Sequence, residues 1–486
     1  MMVKSLKKTV LLTLLGVAIS AGQVSAGETI WTADAQKSGS LELTLEEAVD
    51  MALSRNPELD SVDASRQASR RQVEQARSNY WPTVTATHSE SRRYSEGVNA
   101  SGVVVGTHGN SFSNDFGMSW VLYSGGAAQA QVNQAKEGYY SRTYGVVAKE
   151  QDLKKRTTEA YFKALQADKS LEYAEESLAR VEEHVKNVTL QYEVGLVAKA
   201  DLLRSEVEAA NTKQTLIRAR NNRDLAYASL TNLVWVEMDT RISLKDELAF
   251  VTDSRSLADS IEFAKLSRPE IHQALSALES SKSSVRSARA GYIPTVSVNA
   301  GYTRSDNESR SGWEREGWNV GGSVRLTLFD SFQTRGRVGE AMANQEKSEA
   351  DLKTAVQGIE LEVRTAWLNM QEARERIETS SVAVNLAEED YKIAQARYMA
   401  GVGTNLDVID SQSSLTNAQT NYVTALYDYN NSRANLDKAM GVGVARPDAA
   451  MEDQRGPVPA EFLEKKIEEL RKNPKKIEIF PRESNN

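Results

Sequence analysis

The 486 residues include no cysteine, which excludes disulfides, thiol catalysis and a cysteine-borne lipid anchor. A formal net charge of -8 argues against the basic stripe that nucleic-acid binding requires, so no nucleic-acid partner is expected. With 26% charged residues and a mean hydropathy of -0.49, the chain faces water, and any membrane crossing must be a closed β-barrel.

The first residues predict a compartment. Lys4, Lys7 and Lys8 form a basic start, Val10 to Ile19 is a short apolar stretch, and Val24-Ser25-Ala26 offers small residues at a cleavage position. This pattern predicts a cleaved secretory signal over 1–26, with the mature chain beginning near Gly27. Removing the three signal lysines takes the net charge to about -11. Beyond it no apolar run reaches the roughly 18 residues of a membrane-spanning helix.

From Gly27 to Val444 one plan is written twice, as 27–255 and 256–444. Ala52-Leu53-Ser54-Arg55 with Pro57 returns as Lys265-Leu266-Ser267-Arg268 with Pro269, and Tyr80-Trp81-Pro82-Thr83-Val84 returns as Tyr292-Ile293-Pro294-Thr295-Val296. Ala160-Tyr161 matches Ala366-Trp367. Tyr192-Glu193-Val194-Gly195 with Asp201-Leu202 matches Tyr398-Met399-Ala400-Gly401 with Asp407-Val408. The matching order and nearly constant offset identify an internal duplication.

Each copy predicts the same elements. A helix opens at a capping signal, Thr44-Leu45-Glu46-Glu47 or Ser256-Leu257-Ala258-Asp259, and restarts at Pro57 or Pro269. It ends before Pro82 or Pro294, whose preceding residue is pushed out of the helical region. The periodicity then changes to two and predicts β-hairpins over about 81–123 and 293–329. Gly102, Gly106 and Gly109 are read into the first hairpin loop; Asp306, Asn307, Glu308 and Arg310 make the second loop polar.

A long helix follows each hairpin. From about Ala127 to Tyr192 there is no proline, and Leu171, Ala174, Leu178, Val181, Val185, Val188 and Tyr192 are spaced as a coiled-coil seam. Such a helix runs about 90 to 100 Å. The chain turns over about 193–201, returns as a helix to Leu233, and does the same around a turn at about 399–407.

Four strands in one chain cannot close a barrel, for which about eight is the lower limit, so oligomerisation is expected. Tyr80, Trp81, Trp120, Tyr123, Tyr292, Trp313, Trp318 and Phe329 lie near strand ends, where interfacial aromatics collect. Small residues such as Ala341, Ala350, Ala425 and Ala434 on the long helices suit close-packed staves around a wet lumen. The competing architecture is a secreted structural coiled-coil oligomer or adhesin with soluble hairpins.

With the duplicated Tyr-x-x-Gly turns and the paired Pro-Thr-Val junctions, the chain resembles the TolC-like outer-membrane efflux and type I secretion proteins from about Leu43 to Val444. The resemblance implies a mainly α fold with a β-barrel: a homotrimeric duct with a 12-stranded barrel and a long antiparallel coiled-coil tunnel. It implies an outer-membrane export channel with its helical part in the periplasm. Implied partners are outer-membrane lipid, a periplasmic adaptor (membrane fusion) protein and an inner-membrane ABC or RND-type transporter.

No enzyme, cofactor or metal site is expected. His88, His108, His184 and His272 share no ligand spacing, and the Gly401/Gly403 and Gly441/Gly443 pairs read as turns and helix ends. Asp407 and Asp410 lie one turn apart on the returning helix. Asp407 also sits where a first-turn acid simply caps a helix. The resemblance makes both members of an acidic ring at the narrow end, where like charges crowd and attract cations. Asp201 matches Asp407, but Arg204 stands opposite Asp410 and offers a closing ion pair to a neighbouring helix. A family member carries arginine four residues before its first ring acid; here that position is Gly403, while Tyr398 keeps its match. The resemblance also marks Gly195, Leu196 and Asp201, with Gly401, Val402, Gly403 and Leu406, as adaptor-docking turns. The segment 445–486, with Pro447, Pro457, Pro459, Pro474 and Pro481, reads as a partly disordered extension with a short charged helix from Ala460 to Lys472.

Overall fold

The computed structural model describes residues 41–307 and 314–443. The signal read over 1–26, the extension read over 445–486, and Glu308, Arg310 and Trp313 lie outside the described residues.

The two halves repeat element for element. The first has α1 (Leu45–Arg55), α2 (Pro57–Arg77), a 3-10 turn (Ser78–Tyr80), strands β2 (Thr83–Val98) and β3 (Val104–Ser124), and helices α3 (Ala127–Glu193) and α4 (Lys199–Val234). The second has α5 (Leu257–Ser267), α6 (Pro269–Arg289), a 3-10 turn (Ala290–Tyr292), strands β5 (Thr295–Asn307) and β6 (Glu314–Arg325), and helices α7 (Gln333–Met399) and α8 (Asn405–Met440). Helices α3 and α7 are both 67 residues long, and α4 and α8 are both 36. The short strands β1 (Leu41–Leu43) and β4 (Ile242–Leu244) pair in parallel.

Local chemistry sets the boundaries. Thr44 and Glu47 form a reciprocal cap at α1, with the Thr44 N–H donating to Glu47 Oε2 at 2.8 Å. Asn56 accepts from the Glu58 N–H at 3.0 Å and caps α2 just ahead of Pro57; Ser256 caps α5 through the Asp259 N–H at 3.1 Å. After each 3-10 turn the residue before proline is extended: Trp81 has ψ 154° and Ile293 ψ 142°.

The hairpins fall close to the expected bounds, but the strands of the first run further into the expected loop. Only Gly102 of the three expected loop glycines lies in the loop; Gly106 and Gly109 are inside β3, paired with Glu96 and Arg93. Glycine and polar residues there hid the alternation of a strand that is regular in its backbone.

The sheet runs β2-β3-β5-β6, antiparallel throughout. Its register sorts side chains into two unlike faces, because paired residues on neighbouring strands share a face. Ala86, Phe116, Tyr302 and Trp318 form one row, and Val84, Met118, Ala300 and Val320 the next. The opposite face carries Thr85, Gly117, Gly301 and Asn319, then Thr87, Asp115, Thr303 and Gly317. The apolar face is open: Trp318 is 80% exposed and Val320 69%.

Beneath the sheet the helices form a layer. Along it α4 packs on α3, α3 on α8, and α8 on α7, while α2 and α6 flank the sheet-proximal part of α3. The main core lies where α1, α5 and the β1/β4 pair meet the long helices, around Leu43, Tyr161, Leu230, Ile271, Met370 and Tyr429. Along the distal half of α3 the buried line is Ala174, Ser177, Val181, His184 and Val188. This corrects the expected seam, for Leu178 and Val185 are only half-buried. Helix α3 has neighbours on two sides, and the line facing α8 is satisfied by hydrogen bonds rather than by leucine.

Candidate functional site

The two turns at the far end of the helical layer are built alike. Gly195 (φ 77°) and Gly401 (φ 76°) adopt the left-handed conformation that ends a helix. The Leu196 N–H donates to the Gln191 carbonyl at 2.8 Å and the Gly195 N–H to that of Tyr192 at 2.9 Å. Val402 to Arg397 and Gly401 to Tyr398, both 3.0 Å, repeat the pattern. These paired bonds satisfy the last helical carbonyls and leave short apolar tips in solvent. Leu196 is 76% exposed, Val402 68% and Leu406 46%.

The second turn is the tighter. A side chain at Gly403 would place its Cβ 3.0 Å from the Tyr398 nitrogen and 3.1 Å from Arg397 Cβ. Arginine nonetheless reaches this turn from elsewhere: Arg397 Nη2 stands 3.5 Å from the Val402 carbonyl oxygen.

The expected aperture residues separate by environment. Asp407 closes a reciprocal cap with Thr404; its Oδ2 accepts from the Thr404 N–H at 3.0 Å and its own N–H donates to Thr404 Oγ1 at 3.1 Å. The Thr404 backbone bond, then its hydroxyl, and to a lesser degree the charge of Arg397 hold the Asp407 carboxyl below the usual carboxylate range. Asp410 is exposed one turn further on, and its carboxylate has no partner among the described residues. Asp201 is half-buried, and its helix lacks a side-chain cap. Arg204 is exposed, with no ion pair among the described residues.

Tyr398 is buried, yet its hydroxyl has no hydrogen-bond partner among the described residues. The His184 ring covers Tyr398 edge-on, with centroids 5.2 Å apart and planes at 61°. Burial, then the Asp201 charge, pushes the Tyr398 hydroxyl pKa up.

The residues that join the two turns were not legible in the sequence. His184 Nε2 lies 2.6 Å from Asn405 Oδ1, and Asn405 Nδ2 donates to the Asp201 carbonyl at 3.0 Å and to Ser205 Oγ at 3.1 Å. His184, Asn405 and Ser205 are all buried. A hydrogen-bonded cluster thus fastens the start of α8, and with it Asp407, to α3 and α4. Above it Arg180 Nε donates to Gln412 Oε1 at 3.2 Å, and Ser177 and Thr416 hydroxyls are 3.2 Å apart. The internal spacing Asn405 to Asp407 and the polar 177/184 pair on an apolar seam were the available signals.

Among the described residues no group of three or more His, Cys, Asp or Glu is placed to hold a metal, and no helix is long and apolar enough to cross a membrane.

The likeness to known proteins follows the same two halves. A family model described as "Outer membrane efflux protein" matches residues 48–234 and 261–442. Protein CyaE of Bordetella pertussis is 28% identical over 79% of this chain and 80% of its own length. The outer membrane protein TolC of Vibrio cholerae is 24% identical over 88% and 95%. Among solved structures, the Campylobacter jejuni CmeC outer membrane channel superposes with a TM-score of 0.70 at 20% identity, covering 88% of this chain and 89% of that one. The Vibrio cholerae outer membrane protein VceC gives 0.70 at 20% identity over 82% and 96%. With both repeats matched and the two-faced sheet in place, the chain belongs to the outer membrane efflux protein family and is an outer-membrane channel with its helical part in the periplasm.

Proposed function

We propose that three copies of this chain close into one duct, a twelve-stranded barrel in the outer membrane continued by a helical tunnel that narrows at the Gly195 and Gly401 turns. The observation that carries this reading is the open four-stranded sheet, apolar on one face and polar or glycine on the other. Its edges β2 and β6 are unpaired, and in lipid each unsatisfied backbone group costs several kcal/mol. Three sheets joined edge to edge remove the edges, give an even antiparallel number, and turn the apolar face to lipid and the polar face to water. From Val296 to Tyr302 the apolar band spans about 20 Å along the strand. A secreted structural oligomer has no use for such a face in solvent.

The distal turns are the docking tips for a periplasmic adaptor, which links the duct to an inner-membrane transporter. Asp407 and Asp410 from three chains make the acidic ring at the aperture, and Arg204 supplies the cation that pairs across helices at closure. Relatives bear names of both export classes: a probable efflux pump outer membrane protein, TtgC of Pseudomonas putida, and an alkaline protease secretion protein, AprF of Pseudomonas aeruginosa. A passive wet wall serves either cargo, so this chain is the exit duct of an efflux or type I secretion system.

Single-channel recording in planar bilayers tests the duct. Discrete steps are expected from the purified protein, larger and less cation-selective after Asp407→Ala with Asp410→Ala. A detergent-stable oligomer with no conductance in either form would sink the reading.

A further inference from the structure

The repeat carries a prediction about the contact between copies, resting on the trimeric reading above. Helices α3 and α7, and α4 and α8, are related by the same shift of 206 residues, from Ala127 to Gln333 and from Lys199 to Asn405. Within the chain the layer runs α4, α3, α8, α7. Continuing it around a ring places α7 of one copy beside α4 of the next, as α3 lies beside α8. Every contact between α3 and α8 inside a chain therefore has a counterpart between chains.

The exposed faces agree with a missing neighbour. Val423 on α8 is 2% exposed, whereas its counterpart Ile217 on α4 is 60% exposed. Leu386 on α7, counterpart of the half-buried Arg180, is 67% exposed. Single exposed apolar side chains are ordinary, but here they recur, as Leu203, Val207, Ile217 and Leu225 on α4 and Leu368, Val382, Leu386 and Ile393 on α7, and the element that would cover them is a second copy.

Carrying the hydrogen bonds across changes their chemistry. The His184–Asn405 contact becomes Asp390 against Lys199, and the 3.5 Å contact of Gln166 Nε2 with Thr424 Oγ1 becomes Glu372 against Arg218. Both mapped pairs are of opposite charge. Their combined reach is also preserved, because a shorter or equal acid on α7 meets a longer base on α4. Asp390 and Lys199 are exposed and have no side-chain partner among the described residues; Arg218 is exposed too, and Glu372 has only Arg376 at 3.4 Å.

We propose that Lys199 and Arg218 on α4 of one copy pair with Asp390 and Glu372 on α7 of the next, as ionic counterparts of the neutral His184–Asn405 and Gln166–Thr424 contacts between α3 and α8 within each chain. The seams between chains are loosened by salt, because exposed charge pairs are screened. The charges also set direction, since α7 cannot seat on another α7.

The natural chain has no cysteine, so placed cysteines report the contact directly. Full-length protein in detergent carrying Asp390→Cys with Lys199→Cys is treated with a short bis-maleimide, beside a control carrying Gln166→Cys with Thr424→Cys. The first is expected to give covalent dimers and trimers on denaturing gels and the control only closed single chains; neither single-cysteine variant gives a product joining 199 to 390. In parallel, Asp390→Lys and Lys199→Asp each shorten trimer survival in high detergent, and the two together restore it. If light scattering shows a trimer but 390 and 199 do not join chains, and the exchanged charges do not rescue each other, the pairing is wrong while the duct stands. A monomer in light scattering, with the control folded, overturns the trimeric reading and the pairing with it.

Discussion

Asn405 Oδ1 meets His184 Nε2 at 2.6 Å across 221 residues of sequence, so the first residue of α8 is fixed by a side chain deep in α3. Because the amide nitrogen of Asn405 donates to the Asp201 carbonyl, its oxygen must accept, and His184 must carry its proton on Nε2. One side chain thereby ties α8 to both arms of the first helical hairpin. Replacing it by alanine leaves the imidazole N–H buried without its partner, at about 1–3 kcal/mol, while the Asp201 carbonyl keeps the Ser205 hydroxyl at 3.0 Å. Asn405→Ala is therefore expected to raise hydrogen exchange at 201–208 and 405–412 while leaving the sheet unchanged. Equal protection in variant and wild type at both segments would refute the role.

The two buried histidines predict an acid sensitivity above the range in which carboxylates titrate. Burial lowers the pKa of His184 and of His272, in each case against a weaker raising effect of its hydrogen bond. His272 Nε2 faces the Leu266 carbonyl at 3.2 Å and its Nδ1 is buried without a partner among the described residues, so a second ring proton finds no acceptor there. The folded state thus binds fewer protons than the unfolded state below the ordinary value of 6.5. Stability from these groups is complete above 6.5 and is lost as pH falls from there through the folded values. Melting of the helical signal between about pH 7 and about pH 5 should show this slope, and His184→Gln with His272→Gln should flatten it. An unchanged slope in the double variant would assign the sensitivity elsewhere.

Arg268 and Asn56 occupy matching places in the two repeats and should differ in cost. Arg268 has a buried side chain joined to Glu270 at 2.8 Å, to Glu362 at 2.9 Å and to the Lys438 carbonyl at 2.9 Å. Asn56 caps α2 and donates to the Leu233 carbonyl at 3.2 Å. Arg268→Met strands a carbonyl and two glutamates, but those acids are 38% and 43% exposed and regain water. The loss is then at the lower end of about 3–5 kcal/mol, against about 1 kcal/mol for Asn56→Ala. Thermal melts of the two variants should rank in that order; the reverse ranking would show that the cap, not the ion cluster, anchors the ends of α4 and α8.

How much of the fold and site is legible in the sequence depends on the range of the interaction. The Thr44 and Ser256 caps, Pro57, Pro269 and the turn glycines act within a few residues, and duplication displays each of them twice. The β1/β4 pair, three residues on each side, is too short to carry a period. Gly106 and Gly109 look like loop residues, yet the register puts them on opposite faces of β3, and glycine among polar residues leaves no alternation to read on either. The His184–Asn405 tie could not be seen, since nothing local distinguishes a seam histidine that meets an amide from one that meets solvent. Asp407 illustrates the intermediate case: its acid character is legible, and its engagement with Thr404 is one of two readings the spacing allows.

That engagement separates the two aperture acids experimentally. Asp407 serves its own helix, so Asp407→Ala should weaken the start of α8 by about 0.3–1 kcal/mol as well as removing a ring charge. Asp410 is exposed and makes no side-chain hydrogen bond or ion pair among the described residues, so Asp410→Ala should leave stability at wild type and act on conduction alone. Reversal potentials in a salt gradient read the second effect: each variant should lower cation selectivity, and the pair should lower it further, because in the proposed trimeric ring each change removes three carboxylates. Melting and selectivity must then part company at Asp410 and move together at Asp407. Wild-type selectivity in Asp410→Ala would remove that residue from the ring, leaving Asp407 as a capping acid that happens to face the lumen.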